Sequence, residues 1–130
     1  MRPDQVVGPA RAGRKLVVSG DTAPCDSVRV AAHGADLLVH EATFTEEERE
    51  RAVLTGHSTA GDAAGLARDA DVRLLALTHL STRYGGREIR DEARAVFERT
   101  VVPRDFDAIE IPFPERGEPQ LVPFEEPVTR

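Results

Sequence analysis

Three short apolar runs, each ending at or just before a polar residue, constrain this sequence more than any other feature. They are Lys15-Leu-Val-Val-Ser19, Asp36-Leu-Leu-Val-His40 and Arg73-Leu-Leu-Ala-Leu-Thr78. Runs of this length, followed by turn or helix signals, predict buried strands. Helical patterns separate the runs and a last short strand follows, so the order β-α-β-α-α-β-α-β predicts an α/β layer of largely parallel strands.

Candidate functional residues come at the ends of these strands. Asp21, Glu41 and His79 each follow one of the runs, and His57 lies in a loop between the second and third strands. The loops at the carboxyl ends of strands gather on one edge of an α/β sheet, and ligands bind at that edge. The sequence therefore predicts a metal or acid–base constellation there.

Each of these residues also has a structural interpretation. Asp21 could be a turn or cap residue, and a lone histidine such as His79 is often structural. The carboxylate of Glu41 could fix the tautomer of His57, or the two could form a salt bridge that locks helices to the sheet. Arg83 could hold a phosphate or be a solvated surface arginine. Spacing alone leaves these alternatives open.

Other titratable residues are assigned structural roles. His33 is interpreted as a helix C-terminal residue that interacts with the helix dipole. His40 is interpreted as a buried histidine or a group that supports the site. Cys25 precedes a helix without an adjacent base and is interpreted as a small buried hydrophobe.

Composition narrows the functional class. The chain has 130 residues, one cysteine and a net charge of −6. One cysteine excludes an internal disulfide framework, and neither a membrane span nor a signal peptide is visible, so we expect a cytoplasmic protein. The negative balance argues against a large nucleic-acid-binding face, although the region from Arg83 to Arg90 leans basic and leaves room for a local phosphate-binding surface.

The sequence divides into three parts. Residues 1–13 are predicted to be a loop or linker, residues 14–111 a partial domain, and residues 112–130 a Pro/Glu-rich tail that is extended or partly disordered. Within the domain, Thr45 and Glu48 are predicted to form a capping box. A later helix is predicted from about Glu88 to Arg99.

The metal ligands are too few for a complete site. A catalytic zinc ion takes three protein ligands and a two-metal site about twice as many. The sequence offers Asp21 and His79, and it contains no His-x-His-x-Asp-His cluster. Further ligands would have to come from another segment.

Four motifs resemble those of the ribonuclease Z family, the tRNA 3′-processing endonucleases of the metallo-β-lactamase fold. They are Gly20-Asp21-Thr22, Ala35-Asp-Leu-Leu-Val-His-Glu-Ala-Thr43, Gly56-His-Ser-Thr59 and Leu77-Thr-His-Leu-Ser-x-Arg-Tyr84. The resemblance covers roughly residues 5–115. It identifies the fold as the C-terminal half of an αββα sandwich.

The resemblance implies roles for individual residues. Asp21 would bridge two zinc ions and His79 would be a ligand of the second ion. Glu41 and His57 would lie beside the scissile phosphate, and Arg83 would contact the substrate. The implied reaction removes the 3′ trailer from precursor tRNA and leaves a 3′-hydroxyl.

The same resemblance implies that the sequence lacks part of the family's fold. The missing N-terminal half of the fold would carry most ligands and would be needed for activity, and the full-length form would be a homodimer. Two alternatives remain: another phosphodiesterase or hydrolase of the same fold, or a truncated half-domain without catalysis. Half a sandwich should expose an apolar face, so we expect poor solubility or dimerisation of the isolated chain.

Overall fold

The protein was analysed as a computed structural model, which describes residues 13–125. The predicted linker, apart from Gly13, and the last five residues of the predicted tail lie outside the described residues. Four strands form a parallel sheet in the order β1-β2-β3-β4, with bounds Leu16–Val18, Leu37–Glu41, Leu75–Thr78 and Thr100–Val101. The predicted α/β class and parallel sheet are confirmed.

Four α-helices connect the strands: α1 (Asp26–Ala32), α2 (Arg49–Thr55), α3 (Ala60–Ala70) and α4 (Gly86–Arg94). A hairpin follows, in which β5 (Ala108–Glu110) pairs antiparallel with β6 (Gln120–Val122). The β3-α4-β4 and β1-α1-β2 units are crossovers between parallel strands, so the helices run back across the sheet from its carboxyl edge.

The helices cover one face of the sheet. Leu38, Leu75 and Leu77 point to this face and are buried against the helices. The buried face of α3 is made almost entirely of alanine, which lets the helix lie close to the strands; its buried residues are Ala60, Ala63, Ala64, Leu66, Ala67 and Ala70. Close packing of small side chains therefore holds the helix that starts beside His57.

The opposite face is only partly covered. Leu37, Leu74 and Ala76 are buried in a second cluster, against which Ile109 and Ile111 of the hairpin region pack. On the edge strand β1, the side chains of Leu16 and Val18 stay mostly exposed. The predicted open apolar face is therefore smaller than expected, because the hairpin takes up part of it.

Several local predictions differ from the structure. Helix α4 ends at Arg94 rather than Arg99, because the chain turns at Phe97 and its carbonyl accepts the Thr100 hydroxyl. The two-residue strand β4 was missed. The tail after Ile111 does not remain free: a 3₁₀ turn at Pro114–Arg116 leads into β6.

The predicted Thr45–Glu48 capping box is wrong. Residues Glu46–Glu48 form a 3₁₀ turn before α2, and the buried Thr45 hydroxyl makes no hydrogen bond among the described residues. A capping box is present instead at the start of α3, where Thr59 accepts from the Asp62 N–H and Asp62 accepts from the Thr59 N–H.

Candidate active site

The carboxyl edge of the parallel sheet gathers four of the predicted site residues. Glu41 is the last residue of β2, His79 follows β3 directly, and Asp21 lies three residues beyond β1. His57 lies in the short connection between α2 and α3, next to the bridge that Phe44 makes with Thr59. The predicted convergence on one edge is therefore present in the structure.

Asp21 and His79 face each other. The Nδ1 atom of His79 lies 3.7 Å from Oδ1 of Asp21, and both side chains are more than half exposed. The backbone of His79 has φ of 57°, a left-handed conformation that is uncommon outside glycine. Such conformations occur preferentially at functional sites, where the surrounding structure enforces them.

Glu41 and His57 form a direct contact. The Nδ1–H of His57 donates to Oε2 of Glu41 over 3.0 Å, and the carboxylate is 1 % exposed. This hydrogen bond occupies Nδ1 of His57, so Nε2 is the ring nitrogen that can bind another group. The imidazole of His57 also stacks on that of His79, with ring centroids 5.5 Å apart. Stacking places the Glu41–His57 pair directly beside the Asp21–His79 pair.

Two residues that the sequence did not single out hold Glu41 in place. The hydroxyl of Thr43 donates to Oε2 of Glu41, and the backbone N–H of Ser58 donates to Oε1. A buried carboxylate needs such donors, because an unpaired charge would be strongly destabilising. In the quoted motifs Ser58 directly follows His57 and Thr43 lies two residues after Glu41, and this proximity was the available signal.

Ser58 also connects the loops of the site. Its hydroxyl donates to the carbonyl of Thr22 over 2.7 Å, which ties the loop carrying Asp21 to the loop carrying His57. The N–H of Ser81 donates to the carbonyl of Thr43 over 3.0 Å and so fixes the loop that follows His79. Hydrogen bonds therefore join the loop of Asp21 to that of His57, and the loop after His79 to the segment after Glu41.

Arg83 lies in the loop after His79, but its guanidinium is already paired. Its Nη1 donates to Oε1 of Glu48 over 2.7 Å, and about half of the side chain is exposed. A phosphate could recruit Arg83 only in competition with Glu48. The predicted substrate contact stays a prediction.

The remaining candidates take structural positions. His40 is buried, and burial lowers its pKa. Its Nδ1 contacts the carbonyl of Glu41 at 2.8 Å, while Nε2 has no hydrogen-bond partner among the described residues. Cys25 is half-buried at the start of α1, where its thiol contacts the Ser27 hydroxyl; that contact, followed by others, lowers its pKa. His33 is the C-terminal cap residue of α1.

The donor atoms at this edge suit a borderline metal ion. One ligand atom each from Glu41, His57 and His79 lie within 4.8 Å of one another. Both oxygens of Glu41 are, however, taken by hydrogen bonds, and His57 uses Nδ1 to contact Glu41. Within residues 13–125, the side chains of Asp21 and His79 contact only each other among charged or hydrogen-bonding partners, and carboxylate oxygen and imidazole nitrogen are common zinc ligands. These two residues are therefore suitable as two ligands of a metal site, and other groups would supply the remaining ligands.

Comparison with known proteins identifies a superfamily and similar relatives. A family model described as the beta-lactamase superfamily domain matches residues 6–80. The chain is 52 % identical to a ribonuclease Z of Gemmatimonas aurantiaca over 108 residues, which is 82 % of this chain and 34 % of that protein. It is 55 % identical to a ribonuclease Z of Haloarcula marismortui over 104 residues, 78 % of this chain and 33 % of that protein.

Two solved structures have a similar fold. The short form of human tRNase Z matches with a TM-score of 0.63 and 33 % identity, over 78 % of this chain and 35 % of that chain. A metallo-beta-lactamase fold protein of Bacillus subtilis matches with a TM-score of 0.62 and 30 % identity, over 67 % and 35 %. The resemblance to ribonuclease Z is confirmed, and the chain spans about a third of the length of the curated relatives it matches.

Proposed function

The chain belongs to the beta-lactamase superfamily, and from this premise we propose that it supplies part of the active site of a zinc-dependent endonuclease that removes the 3′ trailer from precursor tRNA. The observation that carries the proposal is the stacking of His57 on His79, which joins the Glu41–His57 pair to the Asp21–His79 pair at one edge of the sheet.

Asp21 and His79 are the proposed metal ligands. Asp21 and His79 would hold zinc in the proposed dinuclear site. Zinc ions supply Lewis acidity toward a phosphoryl group and lower the pKa of water. The remaining ligands come from a segment outside these 130 residues, because the His-x-His-x-Asp-His motif is absent from the sequence.

His57 and Glu41 are the proposed acid–base pair. The contact of Nδ1 with Glu41 orients the ring, so that Nε2, when it carries a proton, can hydrogen-bond a phosphate oxygen or give that proton to the leaving ribose oxygen. The product would then carry a 3′-hydroxyl. Thr43 and Ser58 keep Glu41 in the position that this role needs.

The proposal extends to the substrate contacts and the assembly. Arg83 would turn from Glu48 to a phosphate of the RNA. The full-length protein would be a homodimer in the cytoplasm. Among residues 13–125, no helix is both apolar enough and long enough to cross a membrane.

Reconstitution tests the proposal. The chain is co-expressed with the N-terminal two-thirds of the Gemmatimonas aurantiaca relative, purified with zinc, and given a precursor tRNA and bis-p-nitrophenyl phosphate. We expect about two zinc ions per complex and a single cut at the 3′ end of the tRNA. Preferential hydrolysis of the small diester would favour a different hydrolase of this fold. A soluble complex without zinc would favour a half-domain without catalysis.

A further inference from the structure

A basic cleft lies outside the site described above. It has a volume of about 600 Å³ and runs between α4, β4 and the β5–β6 hairpin. Four arginines line it: Arg87, Arg90 and Arg94 from α4, and Arg104 from the segment between β4 and β5. The lining therefore carries four positive charges against the single carboxylate of Asp107, in a chain whose net charge is −6.

The three helical arginines form a row. They occupy positions i, i+3 and i+7 of α4, which lie on one helix face and extend over about 10 Å. Helix α4 starts directly after the loop that carries His79 and Arg83 and runs away from the carboxyl edge of the sheet. The row therefore leads from the candidate active site toward the opposite edge.

Two of the four arginines of the cleft carry a charge that no acidic side chain pairs. Within residues 13–125, Arg87 and Arg104 form no ion pair, whereas Nε of Arg90 makes no hydrogen bond but lies 3.6 Å from Oδ1 of Asp91. Asp107 is the carboxylate in the lining, and its two oxygens accept the backbone N–H groups of Phe124 and Arg104. These hydrogen bonds lower the pKa of Asp107 and orient its carboxylate toward backbone N–H groups.

Two exposed aromatic rings border the cleft. Phe124 lines it, and the ring of Phe106 lies 5.6 Å from that of Phe124. Phe106 is 82 % exposed and Phe124 is 51 % exposed. The backbone of Phe106 has φ of 71°, so the ring is presented to solvent from a conformation that bulky residues rarely adopt. An apolar ring held in water in this way is available to a ligand with a flat face.

We propose that this cleft binds a single-stranded segment of the RNA substrate, with phosphates against the arginines and a base against the Phe106–Phe124 pair. A basic groove combined with exposed aromatic rings is the combination that binds single strands. An acidic peptide would satisfy the arginines but leaves the rings unused, and a duplex keeps its bases stacked within itself. The inference rests on the proposed function, since it takes the ligand to be RNA.

Binding of a labelled single-stranded RNA tests the arginine row. The full chain is titrated against a fluorescein-labelled oligonucleotide of about 12 nucleotides, and anisotropy is followed between about 50 and 200 mM salt. The double variant R87Q/R104Q should bind roughly tenfold more weakly and lower the salt slope by about 1.4, because each single-strand phosphate contact contributes about 0.7. The variant R87K/R104K should keep most of the slope.

The matched control is R29Q/R68Q, which removes the same charge from exposed positions outside the cleft. Its affinity and salt slope should equal those of the unmodified chain. Equal loss in both double variants would overturn the proposal, because net charge rather than the cleft would then set affinity. Thermal melting of each variant verifies that it is folded.

A second variant pair tests the aromatic contact. F124A should weaken binding of the normal oligonucleotide roughly tenfold but leave the affinity for an abasic oligonucleotide unchanged. The variant F124L measures the effect of apolar bulk without an aromatic ring. Equal weakening of both oligonucleotides by F124A contradicts base stacking. Displacement of the RNA by poly-glutamate as readily as by unlabelled RNA would instead identify an acidic protein as the ligand and overturn the proposal.

Failure of this inference is distinguishable from failure of the proposed function. The variant H57A should abolish cleavage by the reconstituted complex while leaving oligonucleotide binding by the cleft unchanged. Cleavage without cleft binding would remove only the cleft proposal. Cleft binding without cleavage would remove only the proposed activity.

Discussion

Glu41 shows how a single buried carboxylate can organise a site. Its side chain is almost completely buried, yet both oxygens have donors, from Thr43, Ser58 and His57. The sequence alone predicted Glu41 and His57 as a pair, because a motif places one at a strand end and the other in a loop. It did not predict the role of Thr43, because the direction of a hydroxyl depends on a side-chain rotamer that only the fold determines.

Replacing Glu41 by glutamine tests its role toward His57. The amide keeps the volume but removes the carboxylate that accepts from Nδ1 of His57 and orients its ring, so single-turnover cleavage by the reconstituted complex should fall by about 100-fold or more. The control is Glu47→Gln, which removes the same charge from the exposed turn before α2. An E41Q complex with unchanged rate would show that Glu41 acts only in packing.

Thr43 is expected to act as a positioning residue. Thr43→Val removes the hydroxyl that Glu41 accepts and should cost about 1 kcal/mol of folding free energy. The cleavage rate should fall while the KM for precursor tRNA stays constant, because the substrate is still bound but Glu41 is less well oriented. Thr43→Ser should restore the rate. Equal activity of the valine and serine variants would contradict the role.

At the scale of elements, prediction succeeded where a segment carried its own signal. The three buried strands and helix α3 have clear apolar patterns, and their ends placed Asp21, Glu41, His57 and His79 correctly at one edge. Strand β4 has only two residues, too few to show a pattern, and β6 lies in a Pro/Glu-rich segment that was predicted to be a tail; each forms by pairing with a neighbouring strand. The Thr45 capping box failed because that hydroxyl is buried rather than directed at a helix terminus.

The start of the sheet depends on one ion pair. Asp36 accepts from Nη1 of Arg73 over 2.8 Å and from the backbone N–H of Lys15 over 2.7 Å, which joins the segments that enter β1, β2 and β3. Burial opposes ionisation of Asp36, but these hydrogen bonds outweigh it and lower its pKa. The pair therefore stabilises the folded chain only while Asp36 is ionised.

This arrangement predicts a pH dependence. The folded-state pKa of Asp36 lies below the unfolded value of about 3.9, so its stabilisation is complete above that pH and is lost as pH falls through the folded-state pKa. Asp36→Asn should cost about 1–3 kcal/mol at pH 7 and flatten the loss of stability in acid. Urea unfolding from neutral pH to about pH 2 measures both effects. Parallel curves for the two proteins would contradict the assignment.

At the scale of the whole molecule, the uncovered part of the sheet matters most. The hairpin packs on Leu37 and Leu74, but Leu16 and Val18 on the edge strand remain exposed. An edge strand with apolar side chains offers both backbone hydrogen bonds and apolar surface to another chain. The edge strand β1 therefore offers a surface for association with another chain.

Exposure of this surface predicts self-association of the isolated chain. Sedimentation velocity should show dimers or larger species whose fraction increases with protein concentration. The double variant Leu16→Thr/Val18→Thr should shift the chain toward monomer, because threonine keeps the strand propensity but lowers the exposed apolar area. The matched control is Val53→Thr/Leu54→Gln on α2, whose side chains are also exposed. A monomer at all concentrations would show that the hairpin already covers enough of the sheet.

Zinc-edge anomalous diffraction from crystals of the reconstituted complex distinguishes the proposed metal ligands from the proposed acid–base pair. We expect anomalous peaks about 2 Å from ligand atoms of Asp21 and His79, with Glu41 still hydrogen-bonded to His57. Peaks coordinated by Glu41 and His57 would contradict the assignment of these two residues as the acid–base pair, and the lack of any peak at this edge would contradict the metal site itself.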